Sequence, residues 1–158
     1  MEIVLRVASA TVGASEVPPN TNRGPYVERL LAGTQTPKGS PWCAAWLYDV
    51  GRGALGTRWP APKTASVADV VAWADASGRS VADAQRGDVF ALYFPALKRH
   101  AHTGLIESVN ADGTVNTIEA NTSGSGSREG WLVARKTRAL TLSALKTSDR
   151  VIRWSEAL

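Results

Sequence analysis

The 158-residue chain reads as an α+β domain, with N-terminal helices packed on a C-terminal antiparallel sheet of about five strands. Three observations lead there. Up to Gly78 the apolar residues recur at helical spacing, in four blocks separated by glycine, proline and polar residues. From Val89 onward they fall in strand-length runs rich in β-branched and aromatic residues. Two of those runs are separated by Asn110-Ala111-Asp112-Gly113, and Asp-Gly between such runs marks a hairpin.

Val4, Val7, Ala8, Thr11 and Val12 form the apolar stripe of a first helix that ends near Gly13. Residues 16–22 read as loop, broken at Pro18-Pro19-Asn20. Asn22-Arg23-Gly24-Pro25 opens a second helix, because the missing N–H of proline costs nothing at a first helical position. Val27, Leu30 and Leu31 are its buried side and Gly33 its stop. After a polar loop, Ser40 is placed as the N-cap of a third helix and Pro41 as its first residue. Gly51, Gly53 and Gly56 end that helix and begin a loop reaching Pro60 and Pro62. Ser66 with Asp69 three residues later resembles a capping box, opening a fourth helix with Val67, Val70, Val71 and Ala74 inward.

Val89 to Phe94 is almost continuously apolar, the pattern of a central strand covered on both faces. Thr103 to Val109 and Thr114 to Ala120 are the hairpin strands. Trp131 to Lys136 follows the loop Ser123-Gly124-Ser125-Gly126-Ser127, and Val151 to Trp154 closes the sheet.

With 44% apolar and 20% charged residues, the composition is that of one globular domain over residues 1–158. No run approaches the ~18 apolar residues of a membrane span. Met1-Glu2-Ile3-Val4-Leu5-Arg6 lacks the basic lead and sustained apolar block of a secretory signal, so synthesis in the cytoplasm is expected. The formal charge of +4 favours an anionic partner such as an acidic polymer. The basic residues are scattered, with Arg135, Lys136 and Arg138 the densest group and no aromatic interleaving, so nucleic acid is not expected. A monomer is expected.

Chemistry begins with the one cysteine, Cys43. It falls in the first turn of the third helix, among N–H groups that have no partner inside the helix. Positive helix-end charge stabilises an anion there, which favours a thiolate and makes Cys43 a candidate nucleophile. The opposing reading is a core position, since Cys43, Trp46, Leu47 and Val50 share one apolar helix face. A base is needed to decide between them.

The chain holds two histidines, His100 and His102. If Asn110 to Gly113 form the hairpin loop, Val109 faces Thr114 and His102 faces Asn121. His102, Glu119 and Asn121 then share one face of the sheet, with Glu119 the diagonal neighbour of His102. A neutral imidazole can take the proton of a thiol, and works best when a carboxylate or amide holds its other nitrogen. Either Glu119 or Asn121 could do so. His100-Ala101-His102 also sets two imidazoles on one strand edge. No cysteine pair or acidic cluster accompanies them, so no metal and no cofactor is expected.

Four segments in order, Pro41-Trp42-Cys43-Ala44-Ala45-Trp46, Gly87-Asp88-Val89-Phe90, His102-Thr103-Gly104-Leu105-Ile106 and Thr117-Ile118-Glu119-Ala120-Asn121, resemble the signature of the CHAP family. These are cysteine- and histidine-dependent amidohydrolases/peptidases, relatives of the NlpC-type wall peptidases with a papain-like fold. The resemblance spans roughly residues 15 to 140. It implies hydrolysis of an amide bond in peptidoglycan, as an N-acetylmuramoyl-L-alanine amidase or a peptide endopeptidase. It also implies Cys43 as nucleophile, His102 as base, Glu119 as the residue orienting the histidine, and Asn121 as a further polar member of the site.

The Cys43 backbone N–H is then a natural oxyanion donor. Family members often place glutamine before the cysteine as a second donor; Trp42 stands there, with an indole N–H. Some members carry calcium-binding aspartates near the cysteine, where this chain has only Asp49, so calcium is not expected. Trp42, Trp59 and Trp131 are the candidates for substrate contact, and Trp46 and Trp73 belong to the core. Asn22-Arg23-Gly24-Pro25 resembles leaders of phage-borne members. A phage lysin reaching the wall by release, injection or a virion is therefore the expectation. A wall-directed toxin of the same chemistry and a non-catalytic phage structural or wall-binding module compete with it.

Overall fold

Four α-helices occupy the first half of the computed structural model, which describes residues 1–123 and 130–154. They are α1 (Glu2–Ala10), α2 (Pro25–Gly33), α3 (Cys43–Leu55) and α4 (Val67–Ala76). Helix α2 starts at Pro25 and buries Val27, Leu30 and Leu31, as their spacing requires. At α4 the Ser66 hydroxyl accepts from the Asp69 N–H at 3.2 Å. The box does not close, because the Asp69 carboxylate accepts instead from Thr64 at 2.9 Å.

Helix α3 corrects the expected boundaries at both ends. It begins at Cys43, two residues beyond Pro41, and the Ser40 hydroxyl donates to the Pro37 carbonyl at 2.8 Å instead of capping it. At the far end it runs through Gly51 and Gly53 and stops only at Gly56, whose φ of 57° is left-handed. Gly51 supplies small size, not a break: a Cβ there would lie 2.1 Å from the Trp59 ring.

The second half forms one antiparallel sheet of β1 (Ser80–Val81), β2 (Val89–Phe94), β3 (Arg99–Val109), β4 (Val115–Thr122), β5 (Leu132–Arg138) and β6 (Arg150–Ile152). Their order is β1-β6-β2-β3-β4-β5. Among the described residues the sheet therefore has one strand more than the expected five. The addition is β1, two residues paired to β6 and too short to show alternation in the sequence. From residue 124 on, the loop expected over Ser123 to Ser127 lies outside the described residues.

Three bulges set the register around the future site. Val109 pairs with Val115, one residue later than expected, because the turn closes with the Asn110 N–H on the Thr114 carbonyl at 2.8 Å. Glu107 is then an extra residue on β3, so Ile106 pairs with Thr117 and Gly104 with Glu119. The bulge cancels the slip, and Glu119 regains the expected position two residues along from the partner of His102. Ala101 is extra between β2 and β3, where Leu92 pairs with His102 and Tyr93 with His100. On β4 an extra residue falls between Glu119 and Thr122, where Asn121 has a φ of 55°. Asparagine tolerates that left-handed conformation better than most residues.

Apolar burial closes both faces of the sheet. Val4, Leu30, Trp46 and Leu47 of the helices pack with Val89, Leu105, Ile118 and Ala120 in one core. Phe90, Ile106, Val115 and Val151 form a smaller cluster, alternating in sequence with the first set and so facing the other way. Trp46 is fully buried. Trp73 packs against the larger core from its edge: it is half-buried, with the Arg79 guanidinium 5.3 Å from its ring centroid.

Gly104 ties the core to the site. A Cβ at this position would lie 2.7 Å from the Ile118 carbonyl, 2.8 Å from Phe90 and 3.0 Å from the Glu119 side chain. Backbone cannot give way cheaply, so Gly104→Ala is expected to destabilise the fold by about 1–3 kcal/mol in urea unfolding. An unchanged midpoint would show that the strands separate freely there.

Candidate active site

The start of α3 carries Cys43 as its first helical residue, and no side chain caps that end. Trp42, just before it, is fully buried and donates its indole N–H to Glu16 at 2.9 Å. The same carboxylate accepts the backbone N–H groups of Thr21 and Asn22 at 2.7 and 2.9 Å. Glu16 thus clamps the loop before α2 onto the residue that leads into Cys43. A loop assignment from proline and asparagine gave no sign of this, because the carboxylate's partners are 26 residues away or on the backbone.

The strand half supplies the other groups. His102 is fully buried, and its Nε2 lies 2.7 Å from Glu119 Oε2. Glu119, equally buried, accepts two further hydrogen bonds from Arg138, at 2.8 and 2.6 Å, and one from the Thr117 hydroxyl at 2.6 Å. Of the two orienters left open by the sequence, Glu119 holds the ring. Arg138 was visible in the sequence only as part of a basic cluster. Its position at the end of β5, facing back on Glu119 across β4, depends on a strand pairing that local pattern does not encode.

With Nε2 taken by the carboxylate, Nδ1 is the nitrogen left for chemistry. It makes no hydrogen bond among the described residues, while the Cys43 side chain acts to favour the protonated ring. Burial lowers the affinity of His102 for its proton, but hydrogen bonds and charges from Cys43 and Glu119 outweigh it and lift the pKa to about 9. Burial also acts to raise Glu119, yet Arg138 and His102 hold it down at about 2.

Asn121 is buried, and neither atom of its side-chain amide has a hydrogen-bond partner among the described residues. Its backbone carbonyl accepts from the Gly130 N–H at 3.1 Å. A buried amide without a partner is costly, so this side chain is one that the packing alone does not account for.

Cys43 lines an open cleft of about 280 Å³ with Thr36, Ser40, Pro41, Thr64, Ala65, Ser66, Val67, Arg99 and Ala101. The expected substrate tryptophans do not line it. Trp42 is corrected to a core residue whose N–H is engaged by Glu16, which removes it as a second oxyanion donor. Trp59 is corrected likewise, being buried and packed on Trp154 with ring centroids 5.0 Å apart. Trp131 remains half-buried, its carbonyl accepting from the Glu16 N–H at 2.8 Å. His100 is buried, with Nε2 2.8 Å from the Ser148 carbonyl, and no group of three or more potential metal ligands exists among the described residues. Asp49 is paired with Arg29 at 2.8 Å.

A thiol at a helix start, acted on with an imidazole that a buried carboxylate holds from behind, is the arrangement of a cysteine-dependent hydrolase. The family model described as the CHAP domain matches residues 35–121, a little over half of the chain and the stretch from the loop before Cys43 to Asn121. The chain belongs to the CHAP family, a peptidoglycan-related family of amidases and peptidases. No curated protein matches it.

The two shifted groups give stability opposite pH dependences. The His102 pKa is raised, so its contribution is complete below the ordinary 6.5 and is lost as pH rises through about 9. The Glu119 pKa is lowered, so its contribution is complete above the ordinary 4.5 and is lost as pH falls toward 2. Urea midpoints measured across pH should fall on both sides, and His102→Gln should remove the decline between pH 6.5 and 9. A decline of the same size in that variant would assign it to another group.

Proposed function

We propose that the protein hydrolyses an amide bond of bacterial peptidoglycan through a thioester on Cys43. The observation that carries this reading is the buried His102–Glu119 contact, which leaves Nδ1 free of the carboxylate, together with a cleft that Cys43 lines. In the proposed sequence Cys43 reacts as the thiolate of an ion pair, its proton already held on the His102 ring, and sulfur attacks the carbonyl carbon. The Cys43 N–H at the uncapped helix start and the unpaired Asn121 amide are the donors available to the oxyanion. Collapse breaks the C–N bond, and the imidazolium gives its proton to the leaving amine. Water, deprotonated by the same imidazole, then cleaves the thioester and regenerates the thiol.

The finer reading is a phage lysin made in the cytoplasm and acting on the wall after release, injection or delivery by a virion. The formal charge of +4 supports attraction to an anionic wall polymer. Both an N-acetylmuramoyl-L-alanine amidase and a peptide endopeptidase fit the same residues, as does a wall-directed toxin.

Purified walls incubated with the protein should release fragments whose new amine and carboxyl ends, read by mass spectrometry, identify the bond cut. Cys43→Ala should abolish release, a loss of about 10³-fold or more, since the step has no other nucleophile. Release surviving in Cys43→Ala would end the enzyme reading. Wall binding without any release by the wild type would favour the non-catalytic module.

A further inference from the structure

Among the described residues that line the cleft at Cys43, one side chain is charged, Arg99. It is exposed, and it has no ion-pair or hydrogen-bond partner among the described residues. By contrast Arg138 is paired with Glu119, Arg135 with Glu107 and Arg29 with Asp49. The hydroxyls of the cleft are occupied too. Thr36 contacts Thr34 at 3.0 Å, Ser40 donates to Pro37, Thr64 bridges Asp69 and the Ser66 N–H, and Ser66 caps α4. Among the described lining residues none is acidic and able to compete for the guanidinium.

Strand geometry fixes where this cation stands. Arg99 and Ala101 lie two apart on β3, both line the cleft, and His102 follows at once after the extra residue of the bulge. A guanidinium presents a planar fork of donors that matches a carboxylate with two parallel hydrogen bonds. We propose that Arg99 is a specificity-determining residue that binds a free carboxylate of the peptide substrate, beside the amide that Cys43 attacks. The preferred substrate is then an acidic peptide with an unmodified carboxylate near the scissile bond, and amidation of that carboxylate protects it. This inference rests on the hydrolase reading above.

The test uses paired synthetic wall peptides, identical except that each carboxylate in turn is free or converted to the carboxamide. For one carboxylate the wild type should favour the free acid by about ten- to a hundredfold in kcat/KM, the range of a charge-assisted hydrogen-bonded contact, chiefly through KM. In Arg99→Gln that ratio should collapse to near one, and Arg99→Lys should recover part of it. A wild-type ratio near one for every carboxylate, or a ratio unchanged in Arg99→Gln, overturns the proposal. The same pairs titrated calorimetrically into Cys43→Ser read the contact without catalysis. Tighter binding of the acid, lost on adding Arg99→Gln, supports Arg99 even if no hydrolysis is seen. Equal affinities, or binding of neither peptide, overturn it. Hydrolysis by the wild type with no acid preference leaves the enzyme reading standing and removes only this one.

Discussion

Glu119 has no contact with solvent, and a carboxylate in that position must be matched by positive charge or lose its ionisation. The fold answers with Arg138 on one side and the His102 ring on the other, with the Thr117 hydroxyl completing the set. This buried chain of charge is the constraint from which the site's geometry follows. It fixes which nitrogen of His102 is held, which is left for sulfur, and why the ring keeps its proton. It also explains why three adjacent strands must be in register, since His102, Glu119 and Arg138 come from β3, β4 and β5.

The other half of the site is set by a second buried carboxylate. Glu16 collects the Trp42 indole and two backbone amides, and so fixes the residue that precedes Cys43. Among the described residues neither Ser40 nor any other side chain caps α3, so its first amides are not satisfied by a side chain. The proposed nucleophile and base thus come from opposite halves of the chain, His102 held by Glu119 and the residue before Cys43 held by Glu16, and neither carboxylate makes a bond in the proposed sequence. Gly104, with no room for a Cβ, lets the two central strands close around Glu119.

Much of this was legible in the amino-acid sequence, for identifiable reasons. The apolar spacing and Pro25 of α2, and the unbroken apolar run of β2, are local signals, and both elements lie where those signals place them. The pairing of His102 with Glu119 was readable because side chains alternate along a hairpin. It held through two compensating departures, a longer turn and the Glu107 bulge, that no local pattern distinguishes from a perfect ladder. The helix start failed because Ser40 satisfies its hydroxyl on Pro37, a choice made by loop geometry and not by propensity. Trp42 and Trp59 were misplaced since a buried aromatic and a sugar-stacking one look alike in sequence. Arg138 and Glu16 act over long sequence separations, where charge composition carries no positional information.

The most direct test of the buried charge chain is the protonation state of the His102 ring, read from its ¹⁵N chemical shifts across a pH titration. The account predicts an imidazolium at neutral pH, with both nitrogens protonated and a midpoint near 9. A neutral ring at pH 7, titrating near the ordinary 6.5 of a solvated histidine, would contradict it.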